Sequence, residues 1–338
     1  MKRCLFMISF LAVTLACQGM WAATIYVDVS APGDAATNIQ QAVDAAHDGD
    51  VVEIGLGAYL LSAQITVTNA ISIRGKEGAS STIIDGMGSN RCFHLTNPNV
   101  VLEGLTITRG SASGGGGGGV YCEGGTIRNC VIRDCSARGS SAGGVLARGP
   151  VMIEGCVISG NRADFAGGLA AFAGGTISST TVSGNTARVD CGGMSLGKGK
   201  SAVTNGIISC NTCGRNGGGV DTSYKSDALL AKCVISGNTA GSEASHGAGV
   251  HVTGTAAVRL ENCVLSGNSS AYRGGGIFNA GTTTVIGSRI DNNSAASEGG
   301  GIFNFKDRRF AVRGTVIAGN TAPEGADVCG VVVELTGE

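Results

Sequence analysis

The segment Gly274-Gly-Gly-Ile-Phe-Asn279 returns as Gly299-Gly-Gly-Ile-Phe-Asn304, and weaker copies of it precede both. Each copy carries a second landmark further along the chain, formed by two aliphatic or β-branched residues, a small polar residue, Gly and Asn. The asparagines of this landmark recur every 24 to 30 residues: Asn161, Asn185, Asn211, Asn238, Asn268, Asn293 and Asn320. A variable period excludes a coiled coil or collagen and predicts a solenoid whose loops absorb insertions.

Within each copy the apolar and polar residues alternate with a period of two, which is typical of β-strands. Aligning the copies produces one fully apolar column: Val120, Val145, Leu169, Met194, Val220, Val250, Ile277 and Ile302. The neighbouring column is mixed: Tyr121, Leu146, Ala170, Ser195, Asp221, His251, Phe278 and Phe303. We expect the first column to face a core and the second to face solvent.

The corners between these short strands are rich in Gly and Asn, which tolerate positive φ at low cost. Asparagines stacked in one column can also hydrogen-bond from coil to coil. Short strands that recur one turn later predict an all-β fold, a parallel β-helix whose coils stack about 4.8 Å apart.

The first 22 residues have the pattern of a secretory signal. Met1-Lys-Arg3 is basic, the apolar stretch that follows is too short to span a bilayer, and Ala22 ends a small-residue cleavage site. Cys17 follows Leu15-Ala16, so a lipoprotein signal is the alternative. We expect an exported protein, secreted or associated with the outer membrane, without a later transmembrane span.

The mature chain is expected to form one elongated domain, because a solenoid needs no second core. Residues 23–110 would form capped N-terminal coils, residues 111–330 the regular repeats, and residues 331–338 a C-terminal tail. The predicted cap is a helix from Thr37 to Ala46, with Thr37 and Gln40 as a capping box and Ile39 and Val43 on its apolar face. Such a helix would cover the core and the strand edge at the open end of the solenoid.

Composition argues against several kinds of partner. A net charge of −1 and an aromatic content of 4% provide neither a basic footprint nor stacking platforms for nucleic acid.

Four cysteines share one column with small residues: Cys130, Cys156, Cys233 and Cys263. We expect them to be buried thiols that pack as small apolar groups, with disulfides between coils as the alternative. No cysteine or histidine spacing predicts a metal site.

Two sets of residues carry a resemblance to known families. Tyr26-Val-Asp28, the predicted helix and Asp48 to Tyr59 resemble the capped N-terminal coils of secreted right-handed β-helix proteins of the pectin-lyase-like class. The repeats from Gly117 to Gly325 are similar to those of the polymorphic outer membrane proteins of chlamydiae, although Val or Ile stands where those repeats usually carry Phe. The resemblance implies a single-stranded right-handed parallel β-helix on the bacterial surface.

A catalytic site is the less favoured interpretation. Ser195, Asp221 and His251 fall on successive coils, but a hydrolytic triad needs the imidazole in the middle. Asp221 and His251 remain as an alternative acid/base pair. They would belong to a polysaccharide lyase or hydrolase of the pectin-lyase-like class acting on acidic polysaccharide, and calcium would be its only expected cofactor.

Aromatic residues flanked by polar ones on a flat solenoid face suit a glycan or a surface protein. The candidate ligand-binding residues are Tyr121, Tyr272, Arg273, Phe278, Phe303 and Phe305. We interpret the chain as an exported, monomeric and non-enzymatic scaffold for recognition or adhesion. A purely structural repeat protein fits the sequence equally well.

Overall fold

The computed structural model describes residues 22–29, 35–223 and 225–335, so that the expected signal peptide lies almost entirely outside the described residues. Every strand pairing in these ranges is parallel, and in each of four sheets the strands stack in sequence order. The chain is a right-handed parallel β-helix solenoid with a pectin-lyase-like fold, which confirms the predicted fold class.

Each regular coil passes through the four sheets in the same order, numbered here along the coil. Sheet 1 contains Thr24–Val27, Val51–Ile54, Ser72–Gly75, Val101–Glu103, Gly125–Arg128, Val151–Glu154, Gly175–Ser178, Gly199–Thr204, Ser226–Ala231, Ala257–Glu261, Thr282–Ile286, Arg309–Arg313 and Val333–Glu334. Sheet 2 contains Gly57–Leu60, Thr82–Asp85, Thr106–Thr108, Val131–Arg133, Val157–Ser159, Thr181–Ser183, Ile207–Ser209, Val234–Ser236, Val264–Ser266, Arg289–Asp291 and Val316–Ala318. The strand Val333–Glu334 lies in the segment that was expected to be a tail.

Sheets 3 and 4 complete each coil. Sheet 3 contains Ser111–Ser113, Ser136–Ser141, Arg162–Phe165, Thr186–Asp190, Thr212–Cys213, Thr239–Ala240, Ser269–Ser270 and Ser294–Ala295. Sheet 4 contains Ile65–Val67, Phe93–Leu95, Val120–Cys122, Val145–Ala147, Leu169–Ala171, Met194–Leu196, Val220–Thr222, Val250–Val252, Ile277–Asn279, Ile302–Asn304 and Val328–Cys329. The apolar column from Val120 to Ile302 points inward from sheet 4 and is fully buried, as predicted.

The seven asparagines of the repeat form one hydrogen-bonded ladder at the buried corner between sheets 2 and 3. In the typical case of Asn211, the backbone N and Nδ2 both donate to Oδ1 of Asn238 on the next coil, at 3.0 Å each. Nδ2 also donates to the carbonyl of Val182 on the preceding coil, at 2.9 Å. The ladder begins at the backbone N of Cys135 and ends at Asp327, whose Oδ1 accepts both donors of Asn320.

The positive φ at this corner belongs to the residue before each asparagine, not to the asparagine itself. Gly160, Gly184, Gly237 and Gly267 have φ between 63° and 65°, and Cys210 holds the same place at 55°. The ladder asparagines themselves are absent from the left-handed region, whereas four other corner asparagines have φ of 53° to 54°: Asn129, Asn205, Asn262 and Asn292. The expectation of positive φ at corner asparagines is therefore confirmed for these four and wrong for the ladder. The residue before the asparagine, most often glycine, makes the bend, and the asparagine satisfies the polar groups that the bend buries.

The N-terminal cap differs in detail from the prediction. The helix spans Ala35–Ala45 and therefore begins before Thr37, which rules out Thr37 as its N-cap. The Gln40 side chain instead accepts a hydrogen bond from the Thr66 backbone N at 2.8 Å and donates one to the Thr66 carbonyl at 2.9 Å. It thereby pairs with both backbone groups of Thr66, as the backbone of a neighbouring strand would. Ile39 and Val43 are buried in the core. Within the described ranges, no helix is long and apolar enough to cross a membrane.

The cysteine column is buried next to sheet 1. The Cys130 backbone N donates to the sulfur of Cys156, and the Cys263 backbone N donates to the hydroxyl of Ser288 in the same way. The side chain in this column is thus an acceptor for the preceding coil, a role that a thiol or a hydroxyl can fill.

Replacing one asparagine in the middle of the ladder should destabilise the solenoid strongly. Asn238→Ala removes the acceptor of two buried donors on Asn211 and the donor to the Ile208 carbonyl. Each buried group left unpaired costs about 1–3 kcal/mol, so we expect a loss of at least about 3 kcal/mol in the free energy of unfolding. Chemical denaturation followed by circular dichroism measures this loss. Ser236→Ala on the same coil is the control, expected within about 0.5 kcal/mol of wild type; equal midpoints for both variants would contradict the structural role of the ladder.

Candidate functional site

The outward column of sheet 4 is mostly buried, contrary to the prediction that it faces solvent. Phe278 and Phe303, two of the candidate ligand-binding residues, are only 5% and 7% exposed. Leu146, Ala170 and His251 are buried as well. A ligand on the surface of the solenoid therefore cannot lie across the faces of these two rings.

The turn that precedes each sheet 4 strand covers this column. Its first residue has a positive φ, and a Cβ built on Gly274 would lie 2.8 Å from the Cβ of Phe278, four residues later. A Cβ on Gly217 would lie 2.7 Å from the Cβ of Asp221 in the same way. The glycine is needed both for its left-handed conformation and because the turn crosses directly over the outward residue.

The size of the outward residue follows the identity of this turn residue. Where the turn begins with Ala166 or Cys191, the residue four positions later is small, Ala170 or Ser195. Where it begins with glycine, the outward residue is larger: Tyr121, Asp221, His251, Phe278, Phe303 and Cys329. Ala142 before Leu146 departs from this trend. The spacing of four residues between the turn residue and the outward residue was the sequence signal that a turn covers sheet 4. The alternation of apolar and polar residues did not reveal this cover.

The covered column forms a continuous stack at its C-terminal end. The His251 ring stacks on Phe278 at 5.4 Å between centroids, and Phe278 stacks on Phe303 at 5.2 Å with an interplanar angle of 7°. Stacks of this kind contribute about 0.5–1.5 kcal/mol per pair beyond the area that they bury. The two phenylalanines therefore hold coils together.

A second row, from the turns themselves, lies over this stack. Arg273 places its guanidinium 4.9 Å from the centre of the Phe303 ring and 4.5 Å from that of Tyr272, and it pairs with Glu298 at 2.7 Å. His246 packs against Phe278 at 4.3 Å between centroids. Tyr272 and Arg273 are half-buried and contribute to this cover rather than to a free surface.

His246 has an unusually acidic imidazolium. Burial first, and then the charges of His251 and Arg273, lower the pKa of His246 from 6.5 to about 4. Its Nδ1 faces Oδ1 of Asn216 at 3.1 Å. The neutral imidazole is the form that the folded protein favours.

Asp221 and His251 lie close together, as the alternative hypothesis of an acid/base pair requires. They lie opposite each other on adjacent strands, with Asp221 Oδ1 at 2.7 Å from His251 Nδ1. Ser195 is the neighbour of Asp221 on the other side, two coils or about 10 Å from His251. The pair has the contacts of an oriented general base, but the serine is not positioned as its nucleophile.

Tyr121 belongs to the same column but lies six coils before Phe278, about 29 Å away. It packs edge-on against His94 at 5.0 Å, lies beneath the guanidinium of Arg91, and donates from Oη to Glu123 at 3.1 Å. The six candidate ligand-binding residues therefore do not form one stripe.

An open cleft of about 570 Å³ lies where the cover of sheet 4 ends. Phe303 lines it from the stacked row, and Phe305 presents a ring that is 45% exposed. Lys306 and Arg308 add two cations, and Glu298 and Asp307 add two carboxylates. Phe305 is the one residue of the six candidates that combines high exposure with a concave surface.

The described part of the chain contains no group of three or more His, Cys, Asp or Glu side chains that could hold a metal ion. The cleft offers ring faces, two cations, two carboxylates and backbone hydrogen-bonding groups. Its chemistry suits binding of a polar ligand through one ring face and charged groups at the rim.

Comparisons with known proteins agree with the fold. The family model described as right handed beta helix region matches residues 140–295. No curated protein matches the sequence. Among solved structures, the pectate lyase Pel9A has a TM-score of 0.51 at 12% identity, over 93% of this chain and 80% of the lyase.

Two more solved structures align over most of this chain. The alginate lyase from Paenibacillus sp. str. FPU-7 has a TM-score of 0.47 at 14% identity, over 92% of this chain and 99% of the lyase. The A-module of the mannuronan C-5 epimerase AlgE6 from Azotobacter vinelandii has a TM-score of 0.46 at 15% identity, over 90% of this chain and 96% of the module. At such identities, the likeness to the pectate lyase shows a common fold.

The glycine of the covering turn is needed for its left-handed conformation and for its close approach to the outward residue. Glycine-to-alanine substitutions should separate these two effects on stability. Gly274 and Gly139 share a φ of 66°, but a Cβ on Gly139 meets nothing within 4 Å. Gly139→Ala should cost about 1–2 kcal/mol from left-handed strain. Gly274→Ala should cost about 1–3 kcal/mol more, because the methyl group collides with the Ile277 carbonyl oxygen at 2.7 Å and with the Phe278 Cβ at 2.8 Å. Equal losses in chemical denaturation would show that the turn does not lie tightly on the column.

The depressed pKa of His246 predicts an acid-sensitive stability. The unfolded chain protonates this imidazole near its ordinary pKa of 6.5 and the folded protein only near 4, so its contribution to stability is present above pH 6.5 and is lost as the pH falls towards 4. The thermal midpoint of His246→Gln should therefore fall less than that of wild type between pH 7 and pH 4. His47→Gln, at a side chain that is 87% exposed, is the control and should follow wild type. Parallel curves for all three proteins would contradict the prediction.

Proposed function

We propose that this chain is an exported, monomeric and non-enzymatic recognition scaffold that binds acidic polysaccharide at the cleft around Phe305. The signal-like N-terminus supports export, and the rigid ladder of coils suits a scaffold. The observation that carries the proposal is the exposed Phe305 ring within a cleft of about 570 Å³ that also contains Lys306 and Arg308.

The exposed ring and the two cations of the cleft have partners on such a ligand. The phenyl ring of Phe305 can pack on the apolar face of a sugar ring, because aromatic side chains in a cleft provide apolar contact area for a ligand. Lysine and arginine form charge-assisted hydrogen bonds with carboxylates, which an acidic polysaccharide presents on successive sugars. The exposed cations also make the interaction sensitive to salt.

A second candidate function is cleavage of an acidic polysaccharide by the Asp221–His251 pair. The contact of 2.7 Å between the two side chains favours it, because a carboxylate can orient an imidazole as a general base. Calcium would be the cofactor expected for a lyase of this kind. We rank it second because the pair lies beneath the covering turns, with His251 only 9% exposed.

Retention of the mature protein on immobilised polygalacturonate and alginate, with a neutral glucan for comparison, tests the binding function. Phe305→Ala should weaken retention on the acidic glycans about tenfold, equivalent to about 1.4 kcal/mol, because the ring contact is lost. Tyr26→Ala is the matched control, since its ring is 69% exposed on the first coil, and it should bind like wild type. Biolayer interferometry measures both.

The same polysaccharides are then assayed for unsaturated products and reducing ends, with and without calcium. Cleavage that is lost in Asp221→Ala would replace the binding proposal with the enzyme. If neither acidic glycan is retained or cleaved, polysaccharide recognition is wrong, and a protein partner or a structural role takes its place.

A further inference from the structure

A small pocket lies on the outer side of sheet 4, several coils before the Phe305 cleft. Its volume is about 220 Å³, and its lining combines Ser195 and Asp221 from two adjacent strands with Cys191 from the covering turn. Phe165 and Phe172 contribute apolar walls. The pocket arises because Ser195 is small, so that the turn above it does not fill the space that a larger outward residue would occupy.

Two polar atoms in this pocket have no partner. Ser195 is 8% exposed, and its hydroxyl makes no hydrogen bond within the described ranges of the chain. Asp221 uses Oδ1 for His251, whereas its Oδ2 has no hydrogen-bond partner among the same residues. The side chain of Asp221 is only 15% exposed. A carboxylate oxygen and a hydroxyl without protein partners can each accept a hydrogen bond from a ligand that enters the pocket.

The other charged and sulfur-containing groups of the pocket are already accounted for. Asp190 pairs with Arg215 at 2.7 Å through Oδ2 and accepts from the Asn216 backbone N through Oδ1. Burial and then the nearby charge of Asp221 raise the pKa of the Cys191 thiol well above its usual value, so this thiol is neutral. Asp221, whose Oδ1 lies 2.7 Å from His251 Nδ1, therefore provides the carboxylate that still offers an oxygen, Oδ2, to a ligand in the pocket.

We propose that this pocket binds a protonated amino group carried on a small sugar or alkyl frame. An ammonium group has three N–H donors, enough to reach Asp221 Oδ2 and Ser195 Oγ together. A phenyl ring attracts an organic cation, and Phe165 and Phe172 line the same space. This site is separate from the Phe305 cleft and is not part of the proposed polysaccharide binding.

Other ligand classes match the pocket less well. An anion would meet the carboxylate of Asp221, and a neutral sugar would form weaker hydrogen bonds with that carboxylate than an ammonium group does. A calcium ion takes six to eight oxygen ligands, whereas the pocket offers one free carboxylate oxygen and one hydroxyl. An ammonium group needs only those two acceptors and the aromatic walls.

Isothermal titration calorimetry with four small ligands tests the proposal. Glucosamine and n-butylamine carry the amino group, and N-acetylglucosamine and n-butanol are their uncharged counterparts. Saturable binding is expected for at least one amine and at least tenfold weaker binding for its uncharged counterpart. Tighter binding of glucosamine than of butylamine would identify the sugar frame, and the reverse order the alkyl frame. If neither amine binds, or if amines and uncharged counterparts bind alike, the proposal is wrong.

Two variants locate the binding. Asp221→Asn should weaken amine binding at least tenfold, because the charge is lost. Ser195→Leu should abolish binding by filling the pocket, and the fold should accept it, because Leu146 occupies the same column two coils earlier. Asp227→Asn on sheet 1 is the matched charge control. Phe305→Ala should also bind the amine like wild type, and an amine affinity that falls in Phe305→Ala but not in Ser195→Leu would overturn the assignment to this pocket.

Discussion

The structure depends on one hydrogen-bonded corner that repeats from coil to coil. Each ladder asparagine after Asn161 places its oxygen against two donors of the preceding coil, so a coil that shifted by one residue would leave three buried polar groups unpaired. The corner therefore fixes the register of sheets 2 and 3, and the inward columns of the core follow from that register. Insertions between coils are confined to the segments outside the corner, which explains why the asparagines are separated by 24 to 30 residues while every strand pairing stays parallel.

A second constraint acts at the turn before sheet 4, and it decides where the surface is open. The turn crosses over the outward column, and glycine at its first position lets it lie directly on large residues such as Phe278. Where Cys191 replaces glycine, the outward residue is the small Ser195, and a pocket remains beneath the turn. After the strand Ile302–Asn304, the loop from Phe305 to Arg308 lines the Phe305 cleft.

The inward half of this molecule could be predicted from the sequence, because a period of two and a single recurring asparagine define which side chains meet. The outward half could not, since alternation distinguishes inside from outside of a strand and does not report whether a turn folds back across it. Phe278 and Phe303 were for that reason assigned to solvent, although each follows a glycine by four residues. Gln40 was assigned to a capping box because its spacing from Thr37 fits one, whereas its amide pairs with a strand that is distant in sequence.

The two open sites on sheet 4 differ in the interactions that they offer, and this difference follows from the depth at which each lies. In the Ser195 pocket, a partly unpaired carboxylate is held in a space of about 220 Å³, where few waters compete and the charge of a ligand decides binding. In the Phe305 cleft, the cations are exposed and screened by salt. The affinity for a ligand there must come from contact with the ring and from several weak contacts made together. A short charged group suits the first site and an extended chain the second. The two proposed sites therefore differ because one lies beneath the turn before a strand and the other beside the loop after a strand.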